Sequence, residues 1–227
     1  MSARSNAGRI GVWGASGSGK SSYVKRLIKN RKRMVIFDPL AEYSGELAYI
    51  RNVEHRGPAD LDKVRQEMVK DWGGFRVSYV PPAGREAAAL SALCKLLMAA
   101  QQPFKDGTRG AKPLTLVVEE MNLSFPVSGG VQKCPGFADI CSRGRHYGIE
   151  VIGVSQRIAE VATRFRSNCT ETVVLRQKGP LDVKAATLEI GGDKRRVTAL
   201  QNLSYLHEKG GVVTSGKITF PKGRKSS

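Results

Sequence analysis

Short apolar runs alternate along this chain with segments of helical periodicity. "RIGVW" (residues 9–13) is an apolar run that stops at a glycine, the pattern of a buried strand. In the following "SSYVKRLIKN" (21–30), Val24, Leu27 and Ile28 recur at helical spacing. "RMVIFDP" (33–39) predicts a second strand closed by Pro39. "ADLDKVRQEMVKDW" (59–72) predicts an amphipathic helix with Leu61, Val64, Met68 and Trp72 on one face. "FRVSYVPP" (75–82) reads as a third strand stopped by two prolines. "REAAALSALCKLLMAA" (85–100) reads as a helix with Leu90, Leu93, Cys94 and Leu97 as its core stripe. "LTLVVEE" (114–120) is a fourth strand, and the Gly/Pro-rich stretch 122–136 reads as loop. A short helix (137–148), two strands (149–156 and 171–177) and a helix closed by glycines (181–192) follow. "GGVVTSGKITF" (210–220) predicts a terminal hairpin turning at Ser-Gly. Strands alternating with helices imply an α/β fold, a mostly parallel sheet covered on both faces.

Composition narrows the setting. At 227 residues with no linker or internal repeat, one domain over residues 1–227 is the simplest partition, with flexible basic ends at 1–8 and 221–227. The four cysteines form no CxxC pair, which argues against a zinc site or disulfide framework and suits a reducing compartment. No run approaches the ~20 apolar residues of a membrane span. "MSARSNAGR" carries no apolar segment, so a soluble, non-secreted protein is expected. Lysine and arginine total 37 against 20 acids, a net charge of +17, which favours polyanionic partners such as nucleic acid.

The chemistry begins at "GASGSGKS", which matches G-x-x-x-x-G-K-[ST] at every fixed position, between a predicted strand and a predicted helix. Backbone N–H groups of such a loop, Gly14, Ala15, Ser16, Gly17, Ser18, Gly19, Lys20, Ser21 and Ser22 in this chain, cradle phosphates. Lys20 reaches the β- and γ-phosphates, and Ser21 holds Mg²⁺. ATP or GTP is therefore expected as ligand, and no N-K-x-D base-reading motif points to GTP. Glu119 and Glu120 end a buried strand, where one carboxylate can serve Mg²⁺ and the next can act as general base. Two adjacent acids there need a cation or solvent nearby.

"RMVIFDPLAEY", "LTLVVEEMN" and "GRHYGIEVIGVSQR" resemble the HerA/FtsK superfamily of DNA-pumping ATPases. Asp38, Glu42 and Tyr43 match its strand-end Asp and Glu-Tyr pair, and Gly191-Gly192 its later glycines. Glu119-Glu120 stands where the family usually has Asp-Glu. The resemblance implies a P-loop NTPase of the additional-strand glutamate, RecA-like class. It assigns Glu119 to the metal, Glu120 to the base, Gln156 to sensing the γ-phosphate or attacking water, and Arg145, with Arg143 nearby, to an arginine finger reaching a neighbour's ATP.

The minimal, very basic chain resembles in particular the packaging ATPases of membrane-containing icosahedral phages such as tectiviruses. That likeness implies a ring, a hexamer for choice, pumping double-stranded DNA into a preformed capsid. Its partners would be portal-vertex proteins, and its place the host cytoplasm and the virion packaging vertex. Lys105, Arg109 and Lys112 in "KDGTRGAK", with Lys133, are the candidate DNA contacts. The alternatives are a cellular HerA-type DNA-processing ATPase and a non-motor nucleotide-binding module.

Overall fold

The computed structural model describes residues 7–43, 51–53 and 60–220. The expected flexible ends therefore fall outside the described residues, except for Ala7 and Gly8. The strands are β1 (Arg9–Trp13), β2 (Met34–Phe37), β3 (Arg51–Val53), β4 (Arg76–Tyr79), β5 (Leu114–Val118), β6 (Ile149–Ser155), β7 (Glu171–Leu175), β8 (Ser204–Lys209) and β9 (Val212–Lys217). The helices are α1 (Lys20–Ile28), α2 (Asp60–Lys70), α3 (Glu86–Ala100), α4 (Gln102–Lys105), α5 (Met121–Ser124), α6 (Gly130–Lys133), α7 (Pro135–Arg143), α8 (Thr163–Arg166), α9 (Pro180–Glu189) and α10 (Lys194–Thr198).

The strands form one nine-stranded sheet in the order β3-β4-β2-β5-β6-β1-β7-β8-β9. β1 to β7 pair in parallel, and β8 and β9 extend the sheet antiparallel beyond β7. Period-two alternation splits the core between the two faces. Ile10, Val12, Ile36, Val117, Ile152 and Val154 pack with Val24 and Ile28 of α1. Val35, Phe37, Leu116, Val118 and Val151 pack on the other face with Leu90, Leu93 and Leu97 of α3 and Phe137 and Ile140 of α7. Because β1, β2, β5 and β6 are parallel, the loops that leave them gather at one sheet edge, where ligands of open α/β sheets bind.

Three expectations differ from the structure. The stretch 122–136 is not all loop, since Met121 and Phe125 are buried and the short helices α5 and α6 form around them. The terminal hairpin turns at Gly210-Gly211, whereas Ser215 and Gly216 lie within β9, paired with Leu206 and Tyr205. Gly216 is there because the Tyr205 ring covers it: a Cβ would come 2.4 Å from that ring. Trp72 lies beyond α2 and does not share the buried face of Val64 and Met68; it is 43% exposed, with the Arg33 guanidinium 4.5 Å from its ring centre.

Candidate active site

The phosphate loop joins the end of β1 to α1. Its entry is fixed by Gly14 N–H donating to the Ser155 carbonyl (3.2 Å) and Ala15 N–H to that of Arg176 (2.9 Å). Gly17 and Gly19 take φ of 71° and 99°, conformations that favour glycine. The N–H groups of Gly17, Gly19, Lys20 and Ser21 meet no backbone carbonyl among the described residues, as expected of a helix start that takes an anion. Ala15, Ser16, Gly17, Gly19, Lys20, Ser21 and Ser22 line a cleft of about 360 Å³ with Glu42, Gln156 and Leu203. Gly14 and Ser18 do not line it; Ser18 is fully buried, and its hydroxyl has no partner among the described residues.

Three strands converge beside this cleft. Glu120, just past β5, takes φ 43°, strained for a non-glycine residue. Its Oε1 accepts from the Gln156 side-chain amide just past β6 (2.7 Å) and lies 3.7 Å from Lys20 Nζ. Lys20 and Glu120 are both buried, so this is a desolvated pair rather than a surface one. The structure thus brings Lys20, Glu120 and Gln156 together.

Glu119 sits deeper. Burial pushes its carboxyl up to about 7, against the opposing pull of the Tyr43 hydrogen bond and the Lys20 charge. The Tyr43 hydroxyl donates to Glu119 Oε1 at 2.5 Å, and burial with the adjacent carboxylate pushes that phenol far above its usual range. Tyr43 is held by Asp38, whose carboxylate oxygens accept from the backbone N–H groups of Glu42 and Tyr43, each at 3.0 Å. The same turn places Glu42 Oε2 3.5 Å from Ser21 Oγ. Hydroxyl and carboxylate oxygens suit a hard cation such as Mg²⁺. Among the described residues no group of three or more His, Cys, Asp or Glu is placed to hold a metal ion, and Mg²⁺ ordinarily keeps waters and substrate phosphate oxygens in its shell beside one or two protein oxygens.

Other residues brace these groups. Ser155 Oγ donates to Asn122 Oδ1 (2.8 Å) and accepts from Arg157 N–H (3.1 Å). Arg157 Nε donates to the buried Asp182 (2.9 Å), which also accepts from Ala159 N–H (3.0 Å). Sequence reasoning did not assign Tyr43, Glu42, Asn122, Asp182 or Leu203 to the site. Only the Asp38, Glu42 and Tyr43 match offered a signal for the first two.

The remaining candidates lie elsewhere. Arg145 is exposed in the 3₁₀ turn Gly144–Tyr147, before β6 rather than after it. The seven residues of β6 put it about 20 Å from its own phosphate loop. Arg143 pairs with Asp139 at 3.0 Å, whereas Arg145 has no ion-pair partner among the described residues. Lys105, Arg109 and Lys112 are exposed at that same far edge, Lys105 Nζ being 3.2 Å from the Tyr147 hydroxyl. Lys133 does not join them. It lies on α6 beside the start of α7, where Gly136 N–H donates to Ser91 Oγ of α3. The far edge is reached by Gln101, whose amide donates to the Tyr147 carbonyl, ten residues or about 15 Å along.

No family model matches the chain, and no curated protein is significantly similar to it in sequence. Solved structures are similar. The genome packaging NTPase B204 of Sulfolobus turreted icosahedral virus 2, in complex with AMPPCP, aligns at TM-score 0.72 and 15% identity over 95% of this chain and 100% of that one. EssC (ATPases 2 and 3) of Geobacillus thermodenitrificans aligns at TM-score 0.59 and 13% identity over 97% of this chain and 41% of that one. The conjugation coupling protein TcpA of pCW3, with ATPγS, aligns at TM-score 0.59 and 15% identity over 93% and 60%. The chain has the P-loop NTPase fold, in the mostly parallel form shared by a viral genome-packaging NTPase and a conjugation coupling protein, in keeping with the HerA/FtsK resemblance of its motifs.

Proposed function

We propose that this chain is an ATPase that drives double-stranded DNA into a preformed viral capsid, acting as a homo-oligomeric ring, a hexamer for choice, at the portal-vertex proteins. Its places of action would be the host cytoplasm and the packaging vertex; no helix among the described residues is long and apolar enough to cross a membrane. The observation that carries the catalytic part is the meeting of Lys20, Glu120 and Gln156 at one cleft from three separate strands. The DNA part rests on the +17 charge, the motif resemblance and the fold shared with B204.

Glu120 faces the Lys20 ammonium and accepts from the Gln156 amide. Phosphates entering the loop compete for Lys20, which frees the Glu120 carboxylate to take a proton from the attacking water. Gln156, on the same carboxylate, then registers whether that water or a γ-phosphate is present. Ser21 and Glu119 would hold Mg²⁺, whose charge neutralises the phosphate oxygens. Glu119, its carboxyl raised to about 7 by burial, is stabilised as the anion by any cation beside it.

Arg145 stands too far from its own cleft to act there, which supports a finger delivered to the next subunit. The test is the ATP hydrolysis rate with and without duplex DNA. Stimulation by DNA is expected, and a DNA-independent rate favours a non-motor nucleotide-binding module.

A further inference from the structure

Sheet order fixes how a triphosphate must lie. The phosphate loop crowns β1, and the groups proposed for hydrolysis, Glu119, Glu120 and Gln156, come from β5 and β6 on one side of it. The γ end therefore points toward β5 and β6, and the nucleoside end leaves on the other side, over β7 and β8. Leu203, immediately before β8, lines the cleft on that side.

Leu203 is unusual in its backbone. It takes φ 67°, a left-handed conformation that a leucine adopts only when its surroundings impose it. Its N–H donates to the Ser18 carbonyl at 2.9 Å, and its own carbonyl accepts from Ile218 N–H at 2.7 Å. The residue is thus pinned between the phosphate loop and the end of the C-terminal hairpin. Its side chain reaches the loop so closely that a Cβ on Gly19 would come 2.8 Å from Leu203 Cδ2. Asparagine or glycine would take this φ more readily. The side chain is half-buried against the core cluster that holds Val24, Ile28 and Ile218, and its remaining surface lines the cleft.

We infer that Leu203 is the apolar wall against which the nucleoside of the bound triphosphate packs, so that the C-terminal hairpin makes the site one for nucleotides rather than bare polyphosphate. This rests on the nucleotide-binding reading of the phosphate loop and adds to it a specificity residue from the opposite end of the chain. A leucine side chain makes no hydrogen bond to a base edge, so its contribution is contact area alone.

The test compares binding of ATP and of inorganic tripolyphosphate, each with Mg²⁺, by titration calorimetry. Leu203→Asn and Leu203→Gly both suit the left-handed backbone, so at least one is expected to keep the fold, checked by thermal melting. Removing the wall should weaken ATP binding about five- to tenfold, the effect of re-exposing part of a leucine-sized apolar contact, and leave tripolyphosphate unchanged. Equal weakening of both ligands means that Leu203 merely props the phosphate loop, and this overturns the inference, as does ATP binding that no variant alters. A parent chain that binds neither ligand overturns the nucleotide reading itself, and the inference with it.

Discussion

Glu119→Gln should make the protein more stable at neutral and alkaline pH, although it removes a proposed catalytic group. The carboxyl is buried beneath the cleft and titrates near 7 in place of its ordinary 4.5. Desolvation is the largest cause, so the charged form is the one penalised in the folded chain. Because the folded value lies above the unfolded one, the penalty is absent below about pH 4.5, grows as pH rises, and is complete above about pH 7. The separation of 4.5 from about 7, at about 1.4 kcal/mol per pH unit, amounts to about 3 kcal/mol. The replacing amide carries no charge and still offers an oxygen to the Tyr43 hydroxyl, so it keeps the contact and sheds the penalty. Urea unfolding at pH 4.5, 6 and 8, in EDTA without nucleotide, measures this. The stability difference between variant and parent should grow by about 3 kcal/mol from pH 4.5 to 8. A difference that is flat across this range, or that shrinks as pH rises, refutes the placement of a penalised carboxyl at this position.

Lys20→Ala should lose ATP binding in a calorimetric titration, while Glu120→Gln should bind ATP and turn over at least about a hundredfold more slowly; normal turnover in Glu120→Gln with loss in Glu119→Gln would mean that the two acids have exchanged roles. Arg145→Ala should bind ATP, oligomerise, and hydrolyse about 10³-fold or more slowly, and mixing it with Glu120→Gln subunits should restore part of the rate, because one interface then joins an intact base to an intact finger. A mixture as inactive as its components counts against a finger acting between subunits. Duplex DNA binding should vary little with sequence and fall steeply with salt, and reversing the charges of Lys105, Arg109 and Lys112 should flatten the salt slope; an unchanged slope places the DNA path away from that edge.

What was legible in the sequence is what local pattern encodes. Buried parallel strands such as residues 114–118 are short apolar runs, and the phosphate loop has an invariant spacing set by its own geometry. β8 escaped notice because only Leu206 of "SYLHEK" is buried; a strand near a sheet edge needs no apolar run. α5 and α6 were hidden by prolines and glycines, and they form because Met121, Phe125 and Gly130 pack tightly against the core. The Tyr43–Glu119 contact spans 76 residues, and nothing in the local composition of "LAEY" announces a buried phenol. Arg145 was legible as a motif position. Its placement at the far sheet edge follows from β6 running parallel to β1, which puts Gln156 and not Arg145 at the phosphate-loop end.

Hydrolysis at this cleft is proposed to move the protein along duplex DNA. Displacement of a third strand from a triplex placed on linear duplex DNA tests it most directly, because a translocating ring strips the third strand without melting the duplex. Displacement should require ATP, disappear in Glu120→Gln, and slow as the duplex leading to the triplex is lengthened. Vigorous ATP hydrolysis without displacement, or displacement that proceeds equally in Glu120→Gln, would contradict it.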